Sequence, residues 1–436
     1  MPSFCIRNFG CRVNQAESFA WTEAIREGGL RYEADPSRSD LVVVNSCTLT
    51  GRAERDVRKF IRKIARENPA AGLVVTGCSA ERGEEEIGRM PRVLLVLPNS
   101  EKGGLPERVL ALAGTPGPDA ARGPAAGEPA DDFLRSRALL KVQDGCDDRC
   151  TFCVIPSVRG RSSSVGQKEV LARVRDLVRQ GFREIVLAGI HLSSYGRDRE
   201  SGGTLLGLLR AIEEVEGLGR VRLSSLDPRR TDETLAAHIS GNPKICQHVH
   251  LSLQHASERV LEEMGRAVGP GVYRSVLSAL RQRSPEASLG ADVIVGFPGE
   301  TEADFALLEN FLRQSPLTYF HVFSYSPREG TPAASRPQVA DAVTKKRSLA
   351  LRSLSAEKNS EFRASFLGRE MEAVVVRKKD GRDPEREAGN SGFAELLTGN
   401  NIRVVVPSCP APRREIVRVR ITRVLQHSTE GEVVPS

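Results

Sequence analysis

The chain reads as an α/β protein with a small all-β end. An N-terminal doubly wound parallel sheet (1–112) is followed by a linker (113–134), a central partial (β/α)6 TIM-like barrel (135–365) and a small antiparallel β-barrel (366–428). Three observations predict this. Short β-branched runs alternate with helical stretches over most of the chain, the pattern of parallel sheets covered by helices. Fourteen of the eighteen residues from 113 to 130 are Ala, Gly or Pro, which interrupts the pattern as a linker does. From about Phe366 the runs turn short and β-rich, with Gly and Pro between them, as in barrels that bind oligonucleotides.

In order, the first region offers strands at Ser3 to Phe9, Asp40 to Asn45 and Leu73 to Thr76, with helical stretches from Gln15 to Glu27, from Arg52 to Glu67 and after Thr76. The middle region repeats the β/α rhythm six times, with strands at Ala138 to Val142, Glu184 to Ala188, Val221 to Ser224, His248 to Leu253, Ala291 to Val295 and Tyr319 to Phe323. Such a barrel places its chemistry at the carboxyl ends of the strands. A helix from Val339 to Phe366 leads into the last region, whose strands are expected at Glu372 to Val376, Ile402 to Val406 and Ile416 to Ile421.

The 436 residues are too many for one ordinary domain, and 39% apolar residues suffice for real cores. No long uncharged apolar run suggests a membrane span. The opening Met1 to Arg7 lacks the charged and apolar regions of a signal peptide, so a cytoplasmic location is expected. Nine cysteines, an odd number in a reducing compartment, argue for metal or catalysis over a disulfide framework. The net charge of +7 favours an anionic partner such as RNA without requiring one.

The sharpest local signal is Cys146-Asp-Asp-Arg-Cys150-Thr-Phe-Cys153, just after the first strand of the β/α series. Three thiolates so spaced can bind three irons of one cubane cluster. The fourth iron is then open and can chelate the amino and carboxylate groups of S-adenosylmethionine, whose sulfonium the reduced cluster splits to a 5′-deoxyadenosyl radical. Zinc is the competing reading, but it takes four ligands, and no fourth cysteine or close histidine is present. A second set is dispersed: Cys11, Cys47 and Cys78 each follow an expected strand, and in a parallel sheet those ends share one edge. Three buried structural cysteines would be the plainer reading. Placement in the turns favours a second cluster.

The CxxxCxxC spacing, with Phe152 before its last cysteine, resembles the radical S-adenosylmethionine superfamily. Gly290 to Glu300 is similar to that superfamily's fifth-strand motif, which implies that Asp292 belongs to the adenine pocket. Leu187-Ala188-Gly189 is similar to the second-strand motif facing the methionine moiety, without its glutamate, and Gln254 would meet the ribose. Phe152, Gly189, Gln254 and Asp292 are therefore the expected cofactor contacts, though barrel-mouth packing accounts for each equally well. Gly10-Cys11-Arg-Val-Asn14, Val44-Asn45-Ser-Cys47-Thr-Leu-Thr50-Gly-Arg-Ala-Glu54 and Val75-Thr76-Gly77-Cys78 look like the N-terminal domain of the methylthiotransferases. That family combines this domain with a radical barrel and a C-terminal TRAM domain, which Gly399-Asn400-Asn401-Ile402-Arg403-Val404 resembles best. The opening motifs are most similar to the branch acting on threonylcarbamoyladenosine in tRNA. His255-Ala256 and Ser79 depart from the usual Ser-Gly pair and Tyr.

The resemblance implies two 4Fe–4S clusters, held by Cys146, Cys150 and Cys153 and by Cys11, Cys47 and Cys78. It implies conversion of N6-threonylcarbamoyladenosine at position 37 of tRNA, 3′ of the anticodon, to its 2-methylthio derivative. One S-adenosylmethionine would supply the radical and another the methyl group, the second cluster the sulfur, and an electron donor such as flavodoxin or ferredoxin, whose identity the sequence leaves open, the electron. The same chemistry on isopentenyladenosine or on a ribosomal-protein aspartate is the near alternative, and a non-catalytic iron–sulfur RNA-binding protein the distant one. Arg52, Arg55, Lys59, Lys63 and Arg66 fall on one helical face, which suits RNA phosphates and equally an ordinary solvated surface. Cys5 reads as core, Cys246 and Cys409 have no partner spacing, and His248 and His250 read as barrel packing.

Overall fold

A computed structural model describes residues 1–114, 136–200, 202–266, 268–379 and 392–435. The linker expected at 113–134 lies outside the described residues from 115 onward. The chain divides into two compact units: Met1–Arg135 with Asp144–Ser162 and Ser326–Ala334, and Ser136–Gln143 with Ser163–Tyr325 and Ser335–Ser436. The division differs from the sequence expectation in one respect that matters. The segment carrying Cys146, Cys150 and Cys153 packs with the N-terminal sheet, so one unit holds both cysteine triplets.

The first unit is built on strands β1 (Ser3–Asn8), β2 (Arg31–Tyr32), β3 (Leu41–Ser46), β4 (Gly72–Gly77) and β5 (Val93–Leu97), with helices α1 (Arg12–Glu27), α2 (Gly51–Glu67), α3 (Cys78–Gly88) and α4 (Leu105–Leu112) between and after them. A short helix, α5 (Ile155–Arg159), follows the cysteine loop. The sheet order is β2-β1-β3-β4-β5, and every pairing is parallel. This is a doubly wound order with its switch point between β1 and β3. Strand periodicity divides the core in two. Phe4, Ile6, Val43 and Val74 pack on one face with Trp21, Ile25 and Val109. Cys5, Val42, Val44, Leu73 and Val75 pack on the other with Val57, Ile61 and Ile64 of α2. Strands buried on both faces are the rule for parallel sheets, and they explain the unbroken Val42-Val43-Val44 run. Cys5 is core as expected, and burial pushes its thiol up to about 12.

In the second unit, β6 (Ala138–Lys141), β9 (Glu184–Ala188), β10 (Arg220–Leu223), β11 (His248–Gln254), β12 (Ser288–Val295) and β13 (Tyr319–Ser324) are the six expected barrel strands. Two short strands, β7 (Gln143–Asp144) and β8 (Ser163–Ser164), lie between the first two in sequence. All six pair in parallel as two three-stranded sheets, β10-β9-β6 and β11-β12-β13. Isolated parallel bridges, Val221 to Ile245 and Leu226 to Leu251, join the β10 segment to the β11 segment. The result is the partial barrel that the rhythm predicts.

The last strands, β14 (Glu370–Lys379), β15 (Phe393–Thr398), β16 (Arg403–Val406), β17 (Ile416–Val424) and β18 (Thr429–Val434), close into a barrel in the order β14-β15-β16-β18-β17. It departs from the expectation twice. One pairing, β16 with β18, is parallel, and β18 lies beyond residue 428, so the barrel needs six more residues than expected to close. Phe366, Val375, Leu396, Val404, Val419 and Ile421 fill its interior. Its attachment to the large barrel is polar. Glu184 is fully buried on β9, with Arg220 Nε at 2.6 Å and Arg222 Nε at 2.8 Å. Those guanidiniums also donate to the carbonyls of Leu397 at 2.8 Å and Thr398 at 2.9 Å, the end of β15. Burial alone would raise the Glu184 carboxyl, but Arg222 and Arg220 outweigh it and hold the group well below the usual carboxylate range.

Replacing Glu184 with Gln leaves two buried guanidiniums short of their counter-charge, which typically costs about 3–5 kcal/mol. The Glu184→Gln protein should melt at a lower temperature in anaerobic thermal unfolding. Because the folded carboxyl titrates below the unfolded value of about 4.3, its stabilisation is complete above that pH and fades as pH falls through the folded value. The deficit should therefore shrink in strong acid, and an equal melting temperature at neutral pH would contradict the assignment.

Candidate functional site

The N-terminal thiols converge because parallel strands bring their carboxyl ends to one edge. Cys11 is the residue before α1, Cys47 directly follows β3, and Cys78 opens α3 directly after β4. Two glycines permit the approach. Gly10 has φ +132°, and a Cβ there would sit 2.9 Å from Cys47 Cβ and 3.1 Å from its Sγ. Gly77 has φ +92°, and a Cβ there would meet the Ser46 carbonyl oxygen at 2.5 Å. Side chains would have to displace the turns that carry the sulfurs.

A buried amide network fixes these turns. Asn14 Nδ2 donates to Asn45 Oδ1 at 2.9 Å and to the Ser46 carbonyl at 2.8 Å, while its Oδ1 accepts from Cys11 Sγ at 3.3 Å. Asn45 returns a bond to the Asn14 carbonyl at 2.9 Å. The Asn14 and Asn45 of the sequence motifs thus lock the start of α1 to the end of β3 beside the sulfurs. Burial raises the Cys11 thiol, and it pushes Cys47 up to about 12, with Cys11 and Cys78 among the charges that it feels. Such thiols keep their protons at neutral pH unless a metal displaces them.

The second triplet lies in the loop between Asp144 and α5. Gly145 has φ +65°, and a Cβ would come within 2.0 Å of the Arg161 carbonyl oxygen, so no side chain fits at the loop entrance. Cys146 N donates to the Gly160 carbonyl at 3.2 Å, and Cys153 N to the Cys150 carbonyl at 3.1 Å. Asp148 N points at Cys146 Sγ at 3.4 Å. All three cysteines are half-buried. Burial pushes Cys146 up to about 11.

The donor sets suit clusters better than single ions. Among the described residues, no three of these six sulfurs lie within 4.8 Å of one another. Tetrahedral zinc with bonds of about 2.3 Å would hold its thiolates only about 3.8 Å apart. Three thiolates per site is the number that an iron–sulfur cube with one open iron takes.

The expected cofactor residues lie in both units. Phe152 is in the cysteine loop of the first. In the second unit, Gly189 directly follows β9, and a Cβ there would lie 3.1 Å from Gln143 Oε1. Gln254 ends β11 with φ +69°, an unusual conformation for a residue other than glycine, of the kind found at functional sites. Asp292 Oδ1 lies 3.5 Å from His250 Nε2 and 3.2 Å from His321 Nδ1. His248 and His250 are buried, and His248 Nε2 meets the Tyr319 hydroxyl at 2.8 Å, which agrees with packing. The grouping of His250, Asp292 and His321, with ligand atoms within 4.8 Å, escaped linear spacing because each comes from a different strand. Chemically it is a two-histidine, one-carboxylate set. On α2, Arg52, Arg55, Lys59, Lys63 and Arg66 are all exposed, while Val57, Ile61 and Ile64 are buried. Among the described residues, Arg52 and Lys63 of the five are paired, with Asp56 at 3.8 Å and Glu67 at 3.7 Å, long contacts that leave the face strongly positive.

Sequence comparison covers both triplets. Residues 3–97 match the family described as Uncharacterized protein family UPF0004, and residues 140–312 match the Radical SAM superfamily. The threonylcarbamoyladenosine tRNA methylthiotransferase MtaB of Aquifex aeolicus is 35% identical over 84% of this chain and 91% of its own length. The protein of the same name from Bacillus subtilis is 31% identical over 100% of this chain and 97% of its own. A tRNA-2-methylthio-N(6)-dimethylallyladenosine synthase from Moorella thermoacetica is 32% identical over 99% of this chain and 98% of its own. Among solved structures, the radical S-adenosylmethionine methyltransferase TsrM of Kitasatospora setae shares the fold, with a TM-score of 0.53 at 17% identity over 77% of each chain. Identity above 30% along nearly the whole of such relatives reflects common descent, and the chain belongs to the radical S-adenosylmethionine methylthiotransferase family, in the MtaB branch.

Proposed function

We propose that this protein converts N6-threonylcarbamoyladenosine, 3′ of the anticodon in tRNA, to its 2-methylthio derivative. In this reading Cys146, Cys150 and Cys153 hold the cluster that binds S-adenosylmethionine, and Cys11, Cys47 and Cys78 hold a second that carries sulfur. The observation that carries it is the pair of separate thiol triplets within one compact unit. When bound, the two 4Fe–4S clusters supply the electron that splits S-adenosylmethionine and the sulfur that replaces a base hydrogen.

The chain's own residues orient and shield. The Asn14–Asn45 pair holds the turns of the N-terminal sulfurs, of which Cys47 and Cys78 are buried and Cys11 half-buried. Phe152, Gly189, Gln254 and Asp292 are the residues assigned to S-adenosylmethionine. A structural iron–sulfur protein would have no use for a three-cysteine site with an open corner. The exposed cations of α2 would grip phosphates, and an unstacked loop base is the RNA target within a protein's reach. A flavodoxin or ferredoxin would deliver the electron. No helix among the described residues is long and apolar enough to cross a membrane, which agrees with work on tRNA in the cytoplasm. The Moorella relative supports a second reading, with isopentenyladenosine as the base. Nucleoside mass spectrometry of tRNA from cells lacking 2-methylthio bases, with and without this protein, separates the two. The 2-methylthio form of threonylcarbamoyladenosine is expected, and that of isopentenyladenosine alone would overturn the assignment.

Ala at Cys146, Cys150 and Cys153 together should lower iron from about eight to about four atoms per chain and abolish 5′-deoxyadenosine formation. Two clusters in that variant would refute the ligand assignment. Cys47→Ala should still cleave S-adenosylmethionine yet yield no methylthio product, and normal product would remove the second site from the mechanism. Glu at Arg55, Lys59 and Lys63 spares Val57, Ile61 and Ile64, so the fold should hold. Affinity for tRNA should fall, and the slope of log affinity against log salt should flatten by about 0.7–0.9 for each phosphate that the helix no longer neutralises. An unchanged slope would mean that the helix face is only solvated.

A further inference from the structure

Arg159 ends α5, six residues after Cys153, and its side chain has no exposed surface. Every nitrogen of its guanidinium is engaged, and all its partners belong to the same compact unit. Nε donates to Cys78 Sγ at 3.3 Å. Nη2 donates to Asn14 Oδ1 at 2.6 Å and Glu17 Oε2 at 3.5 Å. Nη1 donates to Asp144 Oδ1 at 2.8 Å and Glu17 Oε1 at 3.2 Å. Lys102 Nζ completes the cage, 2.6 Å from Glu17 Oε1 and 3.2 Å from Asp144 Oδ2.

Two cations and two carboxylates would balance without any sulfur. One N–H is nevertheless spent on Cys78, and the Asn14 oxygen that takes another also accepts from Cys11 Sγ at 3.3 Å. A single rigid fork therefore touches one thiol directly and a second through one amide. Glu17 and Asp144 hold that fork in place, and its planar donor geometry is what a lysine could not reproduce.

We propose that Arg159 is a positioning residue for the N-terminal cluster, fixing the sulfurs of Cys78 and Cys11 and raising the cluster's reduction potential through its Nε–H bond to Cys78. The proposal rests on the reading that Cys11, Cys47 and Cys78 hold a 4Fe–4S cluster. Reduction adds one electron and one negative charge, with no bond made or broken and no proton moved. A positive donor on a ligand sulfur stabilises the reduced state more than the oxidised one, and hydrogen bonds to sulfur and net charge are known levers on such potentials.

The test uses the full chain with Cys146, Cys150 and Cys153 changed to Ala, so that one cluster remains after anaerobic reconstitution. Dithionite titration followed by electron paramagnetic resonance gives its midpoint potential. Arg159→Gln should shift the midpoint to more negative values at unchanged iron content, and Arg159→Lys should recover part of the shift. Adding Glu17→Gln to Arg159→Gln removes a buried carboxylate that would otherwise lose its partner, and if the single variant folds poorly this pair should still show a negative shift, smaller because loss of the nearby carboxylate charge itself favours reduction. A measurement with Arg159 intact stands beside these: guanidino-15N arginine should give a hyperfine coupling on the reduced cluster. An unchanged midpoint, or no 15N coupling, on a normally loaded cluster overturns the role of Arg159 alone. Failure of the chain with intact Arg159 to bind any iron would instead overturn the cluster reading, and this inference with it.

Discussion

Parallel pairing of β1, β3 and β4 is the constraint on which the site depends. It delivers every strand-to-helix turn to the same edge, so cysteines separated by 35 and 30 residues become neighbours without any loop having to reach. The register does the rest. Asn8 pairs with Asn45 and Ser46 with Gly77, which sets the three turns level. Buried polar groups at such an edge are costly unless satisfied. Here the Asn14–Asn45 exchange and the Ser46 hydroxyl bond to the Thr76 carbonyl, 2.5 Å, satisfy several of them, while Asn8 Oδ1 and Thr76 Oγ1 are buried with no partner among the described residues. Burial raises the Cys11 and Cys47 thiols, and a bound metal would take the place of their protons.

The second unit solves a different problem, that of attaching a small β-barrel to a large parallel one. Apolar docking would have required both barrels to expose core residues. Instead the end of β15 offers carbonyl groups, and β10 offers two guanidiniums held straight by Glu184. Three charges and several carbonyls in a dry pocket are a geometric lock more than a source of stability. The Gly399-Asn400-Asn401 turn takes part, since Arg222 Nη1 also donates to the Gly399 carbonyl at 3.1 Å. The segment that most resembles a TRAM domain is thus also where the barrel is pinned.

Much of this was legible in the residues, because the relevant signals are local. Glycine before Cys11 and Cys78 marked turns under steric pressure, and the CxxxCxxC loop needs no tertiary context to be noticed. The six barrel strands announced themselves as β-branched runs. What stayed hidden depends on partners far away in sequence. β18 buries Thr429 and Gly431, so it has no apolar alternation, and Gly431 is demanded by the Arg420 carbonyl, Val404 and Val419, which a Cβ would meet at 2.6, 2.7 and 3.0 Å. Arg159 looks like any arginine of a basic chain until Glu17, Asn14 and Cys78 surround it. Nor did spacing reveal that the cysteine loop packs with the N-terminal sheet, since chain order assigns it to the barrel.

The central claim is that six particular cysteines divide into two iron centres. Anomalous diffraction at the iron edge from anaerobically reconstituted crystals tests it without reference to activity. Two iron peaks should appear, one bounded by the sulfurs of Cys11, Cys47 and Cys78 and the other by those of Cys146, Cys150 and Cys153. A single peak, a zinc edge at either triplet, or iron against Cys5, Cys246 or Cys409 would contradict the account.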